Sequence, residues 1–365
     1  MSASPSVVIT TRLPPQICGI GAYSWLAHKH RPNDSSPAAF FVMEGAAESR
    51  ALLGWDAITD FNGNPKKLEQ ALDRAGAANV LLHYAGRAYQ RFGCPTWMPG
   101  VLAKWKAKFP HGRLTVFFHE APGKLPRFSR QFLIGKISAR IIRQLAAVAD
   151  NLVTNTENHV AILRKLSGRE DIHFLPVGSN IEPVANSAQP RLSTEFIIFG
   201  LPFGRLQTLR TFDSEIRSWQ ANRRLTALHL VGPEDEKFTA QANELIDGWP
   251  TPALAVRHGM LPSAEISRLF ARAQFAVTNV TSETWSKSGA FMACAAMGCA
   301  AVIKTGETQS VPLSHAVTAS EVQKISDVEL ASRTVSLKAW YYQNADWSVT
   351  AKRLAALSET KEPAS

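Results

Sequence analysis

Runs of consecutive apolar residues alternate with amphipathic stretches along most of the chain, and the two patterns predict different elements. SVVITTRL (6–13), AAFFVM (38–43), ANVLLHY (78–84), RLTVFFHE (113–120), NLVTNT (151–156) and IHFLPV (172–177) are short, nearly unbroken apolar runs. A strand buried on both faces needs continuous hydrophobicity, so these predict parallel strands covered by helices. Between them PKKLEQALDRAG (65–76), PGVLAKWKAKF (99–109), PRFSRQFLIGKISARIIRQLAAVAD (126–150) and ENHVAILRKLSG (157–168) place apolar residues at helical spacing. SNIEPVANSAQPRLST (179–194) then breaks the pattern, being polar, aperiodic and marked by two prolines, as a linker would be. After it the alternation resumes with TEFIIFG (194–200), a helix over 206–222, LTALHLVG (225–232), a helix over 237–248, ALAVRHG (253–259), PSAEISRLFARA (262–273) and FAVTNV (275–280).

One further helix is predicted to start at Ser288-Gly289 and to end at Gly298, before the apolar run AAVI (300–303). It is unusual in carrying neither acid nor base from Ala290 to Met297. The last segment, WYYQNADWSVTAKRLAAL (340–357), predicts a helical tail. The expected architecture is therefore α/β, with two Rossmann-like domains facing across a cleft and a helical C-terminal tail. The boundaries expected are 1–182 for the first domain, 183–194 for a linker, 195–335 for the second domain and 336–365 for a tail packing back on the first.

Composition narrows the class. At 365 residues the chain exceeds what one core usually supports, and 45% hydrophobic with 19% charged residues describes an ordinary globular protein. No apolar run reaches the roughly 18–20 residues that span a bilayer, and MSASPSVVITTRLPP lacks the basic start and long apolar core of a leader peptide. A cytoplasmic location is expected. Cys18, Cys94, Cys294 and Cys299 show no CxxC spacing, which predicts free thiols and no zinc. HKH (28–30) reads as a solvated helix end, and no G-x-S-x-G, HExxH or Walker pattern occurs.

Charge adds a partner class. Forty basic against thirty acidic side chains give +10, and residues 101–145 hold ten Lys or Arg against the single acid Glu120. Such a patch attracts polyanions. Residues 125–143 mix Phe128, Phe132, Leu133, Ile134, Ile137, Ile141 and Ile142 with five cations from Arg127 to Arg143. That composition fits either a helix lying on an anionic membrane surface or a core-covering helix with a basic outer face. Nucleic acid is not expected, because the aromatic residues show no base-stacking pattern.

Candidate chemistry sits at predicted strand ends. In CGIGAYSW (18–25), Gly19 and Gly21 either let backbone N–H groups approach a phosphate or sugar or make a tight turn. His119 ends an apolar strand where α/β folds place ligands, and fits a sugar-hydroxyl contact or a structural histidine. HYAGRAYQRFGCP (83–95) offers Tyr84, Arg87 and Tyr89 to an acceptor bearing sugars and phosphate, or forms an ordered surface loop. Arg205 lies in a strand-to-helix loop, and Lys287 precedes Ser288-Gly289.

Taken with their order, these segments resemble the retaining glycosyltransferases of the two-Rossmann-domain (GT-B) type, especially family 4. CGIGAYSWLA (18–27), FFHE (117–120), ADNLVTNTENHVAILRKL (149–166), LPVGSNI (175–181), IIFGLPFGR (197–205), LHLVGPED (228–235) and VRHGMLPSAEISRLFARAQFAVTNVTSE (256–283) carry the resemblance. It implies transfer of a sugar, with retention, from a nucleotide diphosphate sugar to a glycan or lipid-linked glycan in cell-surface polysaccharide or glycoconjugate synthesis. The nucleotide sugar would be a co-substrate, with no other cofactor and no metal. Catalytic roles are implied for His119, Arg205 and Lys287, with the two cations neutralising the leaving pyrophosphate. Donor contacts are implied for Gly19, Gly21, Gly259, Met260, Ser288 and Gly289, and acceptor contacts for Tyr84, Arg87 and Tyr89. Partners would include an anionic membrane through 125–143, placing the protein peripherally on the inner face. The chain departs from the family at its E-x7-E pattern. The place of the second Glu falls on Ala293 counting back from Gly298, or on Phe291 counting forward from Glu283. A non-catalytic scaffold or glycan-binding protein of the same fold, with donor binding lost, is the competing expectation.

Overall fold

The structure, a computed structural model, describes residues 6–32, 38–76, 79–122, 130–183, 191–304 and 310–358. The expected linker segment 184–190 and residues 125–129 of the basic stretch, with Arg127 and Phe128, lie outside the described residues. The chain divides into two compact units, one of residues 1–176 with 347–365 and one of 177–346.

The first unit begins with β1 (Ser6–Ile9), α1 (Gly19–Lys29), β2 (Ala38–Val42), α2 (Ala46–Leu53), β3 (Ile58–Asp60) and α3 (Pro65–Ala75). It continues with β4 (Asn79–Tyr84), α4 (Gly86–Tyr89), α5 (Met98–Lys108), β5 (Arg113–Phe118), α6 (Arg130–Val148), β6 (Asn151–Thr154), α7 (Glu157–Ser167) and β7 (Ile172–Phe174). The strands form one sheet in the order β3-β2-β1-β4-β5-β6-β7, every neighbouring pair parallel. Side chains alternate across it. Val7, Ile9, Leu82, Tyr84, Val116 and Phe118 enter one core with α3, α5 and α6, whereas Val8, Phe40, Val42 and Ile58 enter another. This double burial is what the unbroken apolar runs demand.

The second unit holds β8 (Leu192–Phe199), α8 (Pro202–Thr211), α9 (Asp213–Ala221), β9 (Ala227–Val231), α10 (Glu236–Asp247) and β10 (Ala255–Gly259). α11 (Ser263–Arg272), β11 (Ala273–Val277), α12 (Gly289–Met297), β12 (Ala300–Ile303), β13 (Val317–Thr318) and α13 (Asp327–Asn344) complete it. Its sheet runs β10-β9-β8-β11-β12-β13, again parallel throughout. The last helix, α14 (Trp347–Ser358), belongs to the first unit, where Trp347 meets the Tyr23 ring edge-on. Two Rossmann-like parallel-sheet units with a C-terminal helix are thus present.

Three details differ from the sequence reading. The helix expected over 206–222 is two helices, α8 and α9, which meet at the buried Phe212. β8 begins at Leu192, inside the segment expected to be linker. The helix expected as a tail is likewise two, and α13 packs within the second unit. Among the described residues no helix is long and apolar enough to cross a membrane.

Candidate functional site

In parallel α/β sheets ligands bind beyond the carboxyl ends of the strands, where the strand order reverses direction. That point lies between β1 and β4 in the first unit and between β8 and β11 in the second. The residues singled out in the sequence collect at these two edges. Gly19 and Gly21 follow β1, Tyr84 ends β4 with Arg87 and Tyr89 just beyond, and His119 follows β5. Arg205 follows β8, Gly259 and Met260 end and follow β10, and Lys287, Ser288 and Gly289 follow β11.

At the second edge the feature of most chemical interest is α12. Ser288 is its N-cap, and its side chain accepts a hydrogen bond from the Phe291 N–H at 3.2 Å. Gly298 ends the helix in the left-handed conformation at φ 63°. Every residue from Phe291 to Met297 is buried, which explains the uncharged stretch: this helix is core on all sides. Ala293 is 0% exposed, so the place of the absent glutamate is inside the packing. The helix start is the part left open, with Ser288, Gly289 and Ala290 only half-buried. Just before it, Lys287 is exposed, and its ammonium makes no ion pair among the described residues. A half-exposed helix N-terminus beside an uncommitted cation favours anions.

Arg205 requires a correction. It was expected to neutralise a leaving pyrophosphate, yet it is 5% exposed and its guanidinium makes three hydrogen bonds within the protein. Nη1 donates to Gly200 O at 2.8 Å, and Nη2 donates to Pro233 O at 2.9 Å and Glu234 Oε1 at 3.0 Å. The arginine joins the loops that follow β8 and β9. Gly232, at φ 136°, makes room for it: a Cβ there would lie 2.4 Å from Arg205 Nη1 and 2.1 Å from Gly200 O. Arg205 is a structural tie. Gly259 turns at φ 64°, and Met260 beyond it is 58% exposed.

At the first edge, Tyr84 and Tyr89 also need correcting. Both rings are in the hydrophobic core, and the Tyr89 hydroxyl donates to His83 O at 2.7 Å. The short α4 folds tightly back, since a Cβ on Gly86 would lie 2.3 Å from Gly93 O, and this carries Tyr89 inward. Neither tyrosine is placed to touch an acceptor, whereas Arg87 is exposed. Gly21 belongs to the first turn of α1, where a Cβ would lie 1.4 Å from Arg12 O. Its lack of a side chain serves helix–loop packing. Gly19 is exposed with open space around its Cα.

His119 is half-buried, stacked on Phe117 with ring centroids 4.4 Å apart. Its Nε2 is 2.9 Å from Nδ1 of His83, a fully buried residue that the sequence reading left without a role. Burial pushes His83 down to about 3; burial, reinforced by His83 and then His159, lowers His119 well below the usual imidazole value. Both rings are neutral at physiological pH. Among the described residues no group of three or more His, Cys, Asp or Glu is arranged to hold a metal ion.

No family model matches the chain, and a search of curated proteins finds no match. Solved structures do match in shape over nearly the full length. A glycosyltransferase from Rickettsia africae aligns with a TM-score of 0.70 at 10% identity, covering 98% of each chain. Anabaena HepE, in complex with UDP and glucose, aligns at 0.66 with 13% identity over 97% of this chain and 98% of its own. A UDP-N-acetylglucosamine 2-epimerase from Listeria monocytogenes aligns at 0.59 with 10% identity over 97% and 95%. At such identities the likeness is one of fold, and the chain shares the two-unit parallel α/β architecture of these proteins.

Proposed function

We propose that the chain is a glycosyltransferase that moves a sugar from a nucleotide diphosphate sugar to a glycan or lipid-linked glycan acceptor, with retention. The observation that carries this reading is Lys287, an exposed cation with no ion pair among the described residues, set against the open start of α12 at the second unit's switch point. Departure of a nucleoside diphosphate develops charge on its pyrophosphate, and a fixed cation with helix N–H groups stabilises that charge. Lys287, Ser288 and Gly289 take this role. On this reading charge neutralisation belongs to the Lys287 side chain and the helix terminus. Two of the three quoted structural matches are a glycosyltransferase and a UDP complex, which accords with a nucleotide-sugar donor.

A membrane-associated acceptor accords with α6, where Leu133 and Ile137 are 62% and 43% exposed beside the exposed Lys136 and Arg140. Apolar side chains flanked by cations suit the surface of an anionic bilayer, and the protein is proposed to work peripherally there in cell-surface glycan synthesis.

The test is turnover of candidate nucleotide sugars, followed as nucleoside diphosphate release with lipid-linked or oligosaccharide acceptors. Activity lost on Lys287→Ala with an unchanged fold is expected; unchanged turnover in that variant overturns the site assignment.

A second reading, a binding scaffold that has lost donor chemistry, is favoured by one observation: α12 is packed on all sides and presents no acid for a ribose. Nucleotide binding separates the two.

A further inference from the structure

The first unit has a cavity at the amino ends of its strands, opposite the edge where the candidate residues collect. Its floor is one face of the sheet: Ser6 and Val8 on β1 pair in register with Asn79 and Leu81 on β4. One wall is α1, which turns Ser24, Ala27 and His28 toward it at helical spacing, with Arg31 just past the helix end. The other is α14, with Ala351, Leu354 and Ala355 at the same spacing. The two helices pack together, but each presents alanine here, so they meet without filling the space above the sheet. About 440 Å³ is left empty, part of it open to solvent.

Polar groups around this cavity lack partners. His28 Nδ1 and Asn79 Oδ1 are buried without a hydrogen bond. Buried polar atoms in native proteins are nearly always satisfied by protein, water or ligand, because an unmet one carries its full desolvation cost. Arg31 donates from Nη1 to Ser6 Oγ at 3.2 Å and makes no ion pair among the described residues. Its guanidinium is half-buried, and that burial lowers its value, as happens to a cation lacking a counter-ion. Burial, and then Arg31, keep His28 neutral, so among the described residues around the cavity Arg31 is the single charge.

These groups fit a ligand with one charged end and an apolar body. A carboxylate matches a lone guanidinium in charge and in the fork of its donors. The Asn79 amide can turn either end toward such a group, and the His28 ring nitrogen can donate or accept. Val8, Leu81 and Leu354 suit a short aliphatic chain. A phosphate dianion fits less well. It would bring a second negative charge against largely apolar walls that hold no second cation, and one arginine does not offset that desolvation.

We propose that this cavity is a binding site for a short aliphatic carboxylate, held by Arg31 at its head and by the walls of α1 and α14 along its chain. The site is separate from the one assigned to a nucleotide and does not depend on it. α1 starts with Gly19 at the ligand-binding edge and runs 11 residues, about 16 Å, to reach the cavity at its other end.

The test is methyl NMR of the full-length protein titrated with sodium butyrate, set beside sodium chloride, sodium phosphate and butan-1-ol. Butyrate is expected to shift the methyl resonances of Ala27, Leu81, Ala351 and Leu354 saturably, with roughly millimolar affinity. Phosphate and butanol each keep half of the match and should bind about tenfold or more weakly. Arg31→Gln should weaken butyrate by about tenfold or more, with the rest of the spectrum unchanged. Ala355→Leu, which grows into the space from a half-buried position, should weaken it as well. Methyls that butyrate leaves unmoved would mean that the cavity holds water alone, and would overturn the proposal. Equal shifts with chloride or phosphate would mark an adventitious ion only, and an equal response to butanol a plain apolar void; either overturns it, as does wild-type affinity in both variants. Should Arg31→Gln not fold, Ala355→Leu carries the affinity test.

Discussion

His83 Nδ1 and His119 Nε2 lie 2.9 Å apart, so a buried histidine on β4 orients the half-buried one that follows β5. Because one ring must donate and the other accept, only one proton lies between them, and burial keeps both rings neutral. His83 is held down at about 3, and His28, lowered by burial and then by Arg31, at about 4. In the unfolded chain both titrate near 6.5. The unfolded state therefore takes up protons first, and stability complete above about pH 6.5 is lost as pH falls toward the folded values. The expected slope is at most about 1.4 kcal/mol per pH unit for each histidine. Urea unfolding at pH 7 and pH 5 measures it, and His83→Phe should flatten the dependence.

Gly21→Ala should destabilise strongly and Gly19→Ala should not. The added carbon at residue 21 would sit 1.4 Å from Arg12 O, whereas at residue 19 it meets nothing within 4 Å. Overpacking of this kind costs about 1–3 kcal/mol or prevents folding. Thermal melting of the two variants gives the comparison. Equal melting temperatures would contradict the placement of α1 against the loop after β1.

Arg205→Ala and Lys287→Ala should fail in different ways. Arg205 holds Gly200 O, Pro233 O and Glu234, so its loss removes three hydrogen bonds and should cost about 2–3 kcal/mol of stability. Lys287 is exposed without an ion pair among the described residues, so its removal should leave stability within about 0.5 kcal/mol. Denaturation midpoints of both variants, set beside their nucleoside diphosphate release, separate a structural arginine from a ligand-facing lysine.

Ala293→Glu should not restore an acid to the site. Ala293 is 0% exposed within a helix packed on every side, so a carboxylate there would be buried without a partner. The expected loss is about 3 kcal/mol or more. A variant as stable as the wild type would show that this position opens to solvent, and the reading of α12 as a core helix would fall.

Local order was legible where the determinants are local. The start of α12 is written in Ser288 and its end in Gly298, and both were read from the chain. The apolar runs identified most strands, β7 of three residues included, but β3 (ITD) and β13 (VT) lie in no such run. What could not be read depends on distant partners. Arg205 looked like a free cation because Glu234, which occupies it, is 29 positions away. Tyr84, read at a strand end, and Tyr89, read in the loop after it, looked available to an acceptor, and the close approach of Gly86 to Gly93 that turns Tyr89 inward has no sequence signature.

The central claim is that the second unit binds the diphosphate of a nucleotide at Lys287 and the start of α12. Calorimetric titration of UDP, GDP and ADP into the wild type and Lys287→Ala tests it most directly. The account predicts that at least one nucleotide binds the wild type and binds the variant about tenfold or more weakly, with melting temperatures of the free proteins unchanged. No binding by any of the three, or equal affinity in the variant, would contradict it.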